Sequence, residues 1–139
     1  MSNRLVLADS SVWVAHLTGQ TTVAARSMGE LLEANRLSIN AVVRLELLTG
    51  ARDEAQYAEL EDALKGLHEL PISDAVWRRA ERLRFELRGR GAVIPVPDVV
   101  IACCALVYDC ELLHTDRHFD SIARATSLKI YRSHPKGTE

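Results

Sequence analysis

The stretch VPDVVIACCALVYDCELLHTD, residues 96–116, decides the fold. Pro95 and Pro97 disfavour regular structure before it, so we predict a helix that starts near Asp98 and continues through the apolar residues that follow. Because this helix would be apolar nearly all the way round, we expect it to be the buried central helix of the protein. The apolar run directly behind it, Glu111–Thr115, is predicted to be a buried strand.

Short strand-like runs and longer helical patterns alternate through the rest of the chain. Further strands are predicted at Arg4–Ala8, Leu37–Asn40, Leu67–Pro71 and Ser127–Arg132. Strands separated by helices indicate parallel pairing with helical crossovers. The sequence therefore predicts an α/β domain with three layers, α/β/α, around a mostly parallel central sheet of four or five strands.

The helices between these strands have recognisable ends and faces. Ser10 or Ser11 is predicted to cap the first helix, and Ser73 a long helix in the middle of the chain. Two helices between residues 41 and 66 are expected to form a hairpin. Apolar residues at helical spacing place Tyr57, Leu60 and Leu64 on one face of the second helix of this hairpin. The inward face of the long helix is predicted to consist of Trp77, Ala80, Leu83 and Leu87.

Composition limits the class of protein. A chain of 139 residues is long enough for one core, and we predict a single domain over residues 1–133 with a flexible tail over residues 134–139. The start lacks the apolar core of a signal peptide, and no run approaches the roughly 20 residues that span a bilayer. We therefore expect a cytoplasmic protein that does not bind membranes. Its three cysteines fit neither a disulfide framework nor a CxxC metal motif, and are predicted to be reduced packing residues.

Three acidic residues are predicted to meet at one edge of the sheet. Asp9 follows the first strand, Asp116 follows the strand 111–115, and Asp98 begins the buried helix. Ligands of open α/β sheets bind beyond the carboxyl ends of the strands, so these carboxylates should converge there. Each acid could alone be a helix cap or turn residue. That explanation gives no reason why acids from separate segments share one edge.

Glu46 is a fourth candidate, because the segment VVRLELL places it within an apolar helical face. An ionised carboxylate is costly there unless it binds a metal or is paired, for instance with Arg52 or Arg84. Clustered carboxylates raise each other's pKa unless a cation lies among them, and oxygen ligands suit Mg²⁺ or Mn²⁺. A metal of this kind can promote hydrolysis of a phosphodiester, which favours a nuclease.

The formal charge of −2 argues against a protein that handles nucleic acid. The four candidate acids account for this charge, since removing their four negative charges from −2 leaves +2. The segment WRRAERLRFELRGRG, residues 77–91, also carries six arginines, and we consider Arg78 and Arg82 as contacts for substrate phosphates. A solvated helix face with internal ion pairs is the alternative, and the sequence leaves both open.

Four segments together resemble a known family. They are LADSSVWV (7–14), RLELLTG (44–50), PDVVIACCA (97–105) and LLHTDRHF (112–119). In order and spacing they resemble PIN-domain ribonucleases, and among these the VapC-type toxins of bacterial toxin–antitoxin pairs. The resemblance covers nearly the whole chain. It implies a PIN-like fold, a metal-dependent endoribonuclease with Mg²⁺ or Mn²⁺ as cofactor, an RNA substrate, a homodimer, and a VapB-type antitoxin whose carboxyl-terminal segment lies across the acidic groove.

The resemblance also assigns roles to individual residues. The catalytic acids it implies are Asp9, Glu46, Asp98 and Asp116, of which Asp9, Asp98 and Asp116 would hold the metal. Ser11 and Thr115 are expected to orient these carboxylates without touching the metal.

His118 is where this sequence departs from the family, because many relatives have an additional acid at that position. The difference puts a second tightly held metal in question. His118 could contact the substrate phosphate or simply begin a helix, and we favour the second interpretation, with Asp120 facing solvent. A zinc site of His114, Asp116 and His118 is possible on donor type. It would leave the other acids unexplained.

Two other functions remain open at this stage. A receiver-like signalling domain would also place acids around Mg²⁺, but such domains have a lysine after a late strand, whereas Lys129 lies inside the last predicted strand. A catalytically silent PIN domain that binds RNA or a partner is the second alternative.

Overall fold

The computed structural model describes residues 4–132, and within that range it is an α/β protein of five strands and seven helices. The strands are β1 Val6–Ala8, β2 Leu37–Ile39, β3 His68–Glu69, β4 Glu111–Leu113 and β5 Lys129–Ile130. The helices are α1 Ser10–Leu17, α2 Val23–Glu33, α3 Ala41–Thr49, α4 Glu54–Ala63, α5 Asp74–Gly89, α6 Val96–Val107 and α7 Arg117–Ala125. Every predicted strand occurs, although each is shorter than predicted. The predicted tail, residues 134–139, lies outside the described residues.

The strands form one sheet in the order β3-β2-β1-β4-β5, and all neighbours are parallel. The chain leaves β1 toward β2 and β3, and later returns to the opposite side of β1 as β4 and β5. Because parallel crossovers are right-handed, α1 to α4 cover one face of the sheet and α5 to α7 the other. The predicted three-layer α/β fold is confirmed. The strand order reverses between β1 and β4, which is where ligands bind in such sheets.

Helix α6 is the buried central helix that the sequence predicts. Its residues 99–105 are all buried, and it packs against α5, α7 and α3. The helix begins at Val96 rather than near Asp98, because Pro97 fits the first turn, where a backbone N–H has no partner inside the helix. Cys103, Cys104 and Cys110 are buried and unpaired, as expected of packing residues.

The predicted inward face of α5 is wrong at one position. Ser73 does cap α5, but Trp77 is 42% exposed, and the core position belongs to its neighbour Val76. The other predicted positions hold, since Ala80 and Leu87 are buried and Leu83 packs against the core. Trp77 instead lies along an open groove between α5 and α6. Tyr57 on α4 is also exposed, because that helix has no buried residue and contacts the protein mainly through α3. None of the helices within residues 4–132 combines the length and apolar character needed to cross a membrane.

Candidate active site

Asp9 joins the end of β1 to the start of α1. Its backbone N–H donates to the carbonyl of Leu113 at the end of β4, 3.1 Å away, so the carboxyl ends of the two strands are held together. Its side chain accepts from the N–H of Val12 at 3.2 Å and caps α1. The predicted caps, Ser10 and Ser11, are therefore wrong: the helix begins directly after the strand, and the carboxylate of Asp9 reaches its first turn.

The Asp9 carboxylate is buried among negative charges. Burial is the largest effect and raises its pKa from 3.8 to about 6, while hydrogen bonds from Ser11 and Val12 oppose the rise. The charges of Asp98 and Asp116 are smaller contributions to the same rise. The three acids that the sequence predicts at one edge of the sheet are therefore close enough to repel each other.

Two hydroxyl groups connect Asp9 to the segment after β4. The Ser11 hydroxyl lies 2.9 and 3.1 Å from the two Asp9 carboxylate oxygens and 2.9 Å from the hydroxyl of Thr115. Ser11 has one hydrogen to donate, and the carboxylate is its acceptor, so Thr115 must donate to Ser11. This chain of hydrogen bonds holds the Asp9 carboxylate in one orientation. It places both predicted orienting residues where that role requires them.

Asp98 and Asp116 meet at His118. Asp98 lies in the first turn of α6, and Asp116 caps α7 by accepting from the backbone N–H of His118 at 2.9 Å. The ring Nδ1 of His118 is 3.0 Å from Asp98 Oδ2 and 3.3 Å from Asp116 Oδ1. Among residues 4–132 these side chains form one group of metal-type donors, whose atoms all lie within 4.8 Å of one another. Asp9 is not part of that group, and its connection to it is electrostatic.

His118 is thus the residue whose place the sequence interpretation missed. It does begin a helix, as favoured, but its ring also lies against both carboxylates. The spacing Asp-x-His across a helix start is a signal that could have indicated this, since the cap and the second helical residue lie on the same turn.

His114 and Asp120 form a hydrogen-bonded chain that fixes the backbone of Asp116. His114 Nδ1 accepts from the backbone N–H of Asp116 at 3.1 Å, and its Nε2 lies 3.3 Å from Asp120 Oδ1. With Nδ1 accepting, the ring hydrogen is on Nε2 and is donated to Asp120. Burial lowers the pKa of His114, against the opposing effect of both acids, which agrees with this neutral form. Asp120 is therefore not simply a solvent-facing residue as predicted. The zinc set of His114, Asp116 and His118 does not form, because both His114 nitrogens are engaged.

Glu46 lies on α3, which packs against α1 and α6. Helix α1 begins directly after Asp9, and the first turn of α6 contains Asp98. Its Oε1 atom is buried and has no hydrogen-bond partner among residues 4–132. Neither suggested partner, Arg52 or Arg84, bonds to this atom, and the Arg84 guanidinium donates instead to the carbonyl of Ile94 at 3.0 Å. A buried carboxylate oxygen without a donor is unfavourable. Oxygen donors from several acids, one of them unsatisfied, fit a divalent cation, which would also reduce the repulsion between the acids.

The arginine surface of α5 is arranged differently. Arg78 pairs with Glu81 at 2.8 Å, and Arg82 pairs with Glu86 at 3.0 Å on the same helix. The Arg82 guanidinium also lies over the ring of Phe85, 5.5 Å from its centre. At these two positions the structure has the internal ion pairs that were the alternative to phosphate contacts.

Comparison with known proteins agrees with this geometry. The PIN domain family model matches residues 6–125. Ribonuclease VapC11 of Mycobacterium tuberculosis is 33% identical over 129 residues, covering 90% of this chain and 96% of that protein. Ribonuclease VapC18 of the same organism is 30% identical over 134 residues, with 94% and 96% covered. The crystal structure of VapBC2 from Rickettsia felis bound to a DNA fragment from their promoter matches with a TM-score of 0.76 at 19% identity, over 94% of this chain and 99% of that one. The chain belongs to the PIN-domain family and, within it, to the VapC ribonucleases.

Proposed function

We propose that this protein is a metal-dependent endoribonuclease that hydrolyses RNA phosphodiester bonds and acts as the toxin of a type II toxin–antitoxin system. One observation carries the proposal. Asp9, Asp98 and Asp116 come from separate segments and meet where the strand order reverses, in a chain of the VapC ribonuclease family. Mutually repelling carboxylates at a ligand-binding edge favour a cation between them over a purely structural role.

The metal is Mg²⁺ or Mn²⁺, held by Asp98 and Asp116, with Asp9 and Glu46 adding negative charge. When bound, such an ion lowers the pKa of a water molecule and stabilises the charge that develops on a phosphodiester. The protein supplies orientation. Ser11 and Thr115 fix the Asp9 carboxylate, and the neutral ring of His114 fixes the backbone of Asp116. Three ionised carboxylates without a cation would repel a phosphate, so RNA binding should itself depend on the metal.

The test is cleavage of RNA by the purified chain with Mg²⁺ or Mn²⁺ in the absence of antitoxin. We expect cleavage that EDTA stops and that added metal restores. Removal of the Asp98 carboxylate should abolish cleavage while the protein stays folded. Wild-type protein that binds neither metal and cuts no RNA would contradict the proposal.

A silent PIN domain that binds RNA without cutting it is the alternative. Its signature would be metal-dependent RNA binding with no new RNA ends, which sequencing of RNA ends after induced expression would detect. The receiver-like alternative loses its remaining support. Lys129, on β5, pairs with Asp109 at 3.7 Å. Asp109 lies in the turn that precedes β4, so this pair lies at the amino edge of the sheet, away from Asp9, Asp98 and Asp116.

Several further features are part of the proposal. The VapB-type antitoxin would place its carboxyl-terminal segment across the acidic groove, which co-purification with a candidate antitoxin and restored growth would test. A homodimer is expected and can be measured by sedimentation. A cytoplasmic location and one domain over residues 1–133 stay predictions. The single sheet and its continuous core support the second.

A further inference from the structure

We propose that His118 is itself a ligand of the metal through Nδ1, so that the site is built from one imidazole nitrogen and two carboxylates and prefers a first-row transition ion such as Mn²⁺ over Mg²⁺. This inference rests on the proposed function, because it assumes that the acidic site holds a divalent ion. It concerns the one nitrogen donor in the group that Asp98, Asp116 and His118 form within residues 4–132.

The distances around His118 fit a shared ion. Nδ1 is 3.0 Å from Asp98 Oδ2 and 3.3 Å from Asp116 Oδ1. Two ligand atoms at right angles around an ion with bonds of roughly 2.1 Å are about 3.0 Å apart. Two of the three separations between donor atoms are therefore those of neighbouring ligands in a coordination shell, and all three atoms lie within 4.8 Å of one another.

The ring is positioned at the site, where its Nδ1 is within hydrogen-bonding distance of Asp98 Oδ2 at 3.0 Å. Asp116 Oδ1 accepts the backbone N–H of His118 at 2.9 Å, which fixes the residue at the start of α7. The side chain is 39% exposed, so water or substrate can complete the shell. When an ion replaces the hydrogen bond between Nδ1 and Asp98, the neutral ring can carry its hydrogen on Nε2 and offer the Nδ1 lone pair to the metal. His114 differs, because a backbone N–H and Asp120 occupy both of its nitrogens, whereas the ring of His118 has partners within residues 4–132 only at Nδ1.

The donor set determines the preferred metal. Mg²⁺ binds oxygen ligands and keeps much of its water, and it gains little from an imidazole. Imidazole nitrogen suits the first-row transition ions, whose affinity for mixed nitrogen and oxygen sites rises from Mn²⁺ toward Cu²⁺. A group of two carboxylates and one imidazole therefore has less of the negative charge that favours Mg²⁺ than three carboxylates would have, and it contains the nitrogen donor that Mn²⁺ accepts.

Pulsed electron paramagnetic resonance of the full chain loaded with Mn²⁺ tests the ligand directly. We expect coupling of Mn²⁺ to a directly bound ¹⁴N nucleus, replaced by ¹⁵N coupling when histidine alone is labelled. The coupling should vanish in His118→Asp and His118→Ala. It should persist in His68→Gln, which removes an imidazole on the edge strand β3 that contacts Asn35. Aspartate suits an early helix position, so His118→Asp should keep its fold, and thermal unfolding checks both variants.

Equilibrium dialysis against Mn²⁺ and Mg²⁺ supplies a second readout. His118→Asp should lower the ratio of Mn²⁺ to Mg²⁺ affinity by about tenfold, as expected when a nitrogen donor is exchanged for oxygen. Wild type that binds Mn²⁺ without nitrogen coupling, or an unchanged ratio in His118→Asp, would overturn the inference and leave the proposed nuclease intact. Wild type that binds no Mn²⁺ at all would overturn both.

Discussion

Two charged regions of this protein differ in how their charges are balanced. At the carboxyl edge of β1 and β4, Asp9, Asp98 and Asp116 lie close together. Within residues 4–132 the partners of their carboxylates are hydroxyls, backbone N–H groups and an imidazole. On α5, Arg78 and Arg82 each face a glutamate within one turn of the same helix. Both regions were candidates for function on sequence grounds.

The difference teaches which charges carry information about function. An exposed pair within one helix is close to neutral in energy and needs nothing further to be stable. A buried carboxylate beside two others is unfavourable until a cation arrives, and the pKa of Asp9, raised to about 6 chiefly by burial, measures that cost. We therefore expect substitutions at the carboxyl edge of β1 and β4 to change RNA cleavage strongly, and substitutions on α5 to change it little.

The largest effect is expected from Asp98→Asn. The amide removes a negative charge from the donor group that contains Asp116 and His118 but keeps its shape. Loss of a metal ligand should lower RNA cleavage by about 10³-fold or more, since each tenfold corresponds to about 1.4 kcal/mol of transition-state stabilisation. Initial rates on a fluorescent RNA with Mn²⁺, together with circular dichroism, measure activity and fold.

Asp109→Asn is the matched control for that experiment. Asp109 is exposed and pairs with Arg4 and Lys129 ahead of β4, at the opposite edge of the sheet. It should retain wild-type cleavage. Equal losses in the two variants would mean that the carboxyl edge holds no special function, and the comparison above would fail.

A smaller effect is expected when the hydroxyls that orient Asp9 are removed. Ser11→Ala and Thr115→Val break the hydrogen-bond chain that ends at the Asp9 carboxylate. Supporting groups of this kind typically contribute 10–100-fold to metal affinity or activity, so we expect about tenfold in each variant. The double variant should lose little more than either single one, because both act through one hydrogen bond to Asp9.

Metal affinity by dialysis and cleavage rates would measure these losses. Thr18→Val is a suitable control, because its hydroxyl donates to Val14 at the far end of α1. Additive losses in the double variant would show that Ser11 and Thr115 act independently, and would remove the proposed role of Thr115.

The raised pKa of Asp9 predicts that the free energy of unfolding depends on pH. Because its folded pKa is about 6 and its unfolded value 3.8, the folded metal-free protein binds a proton across this window that the unfolded chain has lost. The free energy of unfolding should therefore fall as pH rises from 3.8 to about 6. Between about pH 5 and pH 7 the loss from this one group is about 1 kcal/mol.

Asp9→Asn isolates this contribution, since asparagine is also a good helix cap but does not titrate. Urea unfolding in EDTA at both pH values should give a smaller decrease in the variant than in wild type. Saturating Mn²⁺ should reduce the pH dependence of wild type, because the ion favours the charged carboxylate. Identical pH profiles for the two proteins in EDTA would show that Asp9 is not perturbed.

The sequence predicted the architecture well because the signals were strong and local. The apolar segment around residues 99–105 could only be a central helix, and the alternation of strands and helices indicated a parallel sheet. The buried faces of the helices were less predictable. Trp77 satisfies helical spacing as well as Val76 does, and only the packing of α5 against α6 decides which one is buried.

The site was predictable to the level of backbone position. Asp9, Asp98 and Asp116 follow strands or begin a helix, so the fold itself brings them together. The roles of His118, His114 and Asp120 depend on side-chain rotamers around one turn, which a single sequence does not determine. The sequence likewise could not predict that Oε1 of Glu46 has no hydrogen-bond partner among residues 4–132, because a donor from elsewhere in the chain could have satisfied it.

The smallest effects are expected on α5. Arg78→Ala and Arg82→Ala each remove one exposed, intrahelical ion pair, so the free energy of unfolding should change by no more than about 0.5 kcal/mol. If neither residue contacts RNA, the cleavage rate and its dependence on salt should stay at wild-type values. If an arginine does contact a phosphate, its substitution should instead weaken RNA binding. The slope of log affinity against log salt concentration should then fall by about one unit for each arginine removed. RNA affinity measured at several salt concentrations, with Glu81→Ala as the control that frees Arg78 from its partner, separates these outcomes. A lowered slope in Arg78→Ala together with tighter binding in Glu81→Ala would make α5 part of the RNA surface, and charge balance would then no longer distinguish the two regions.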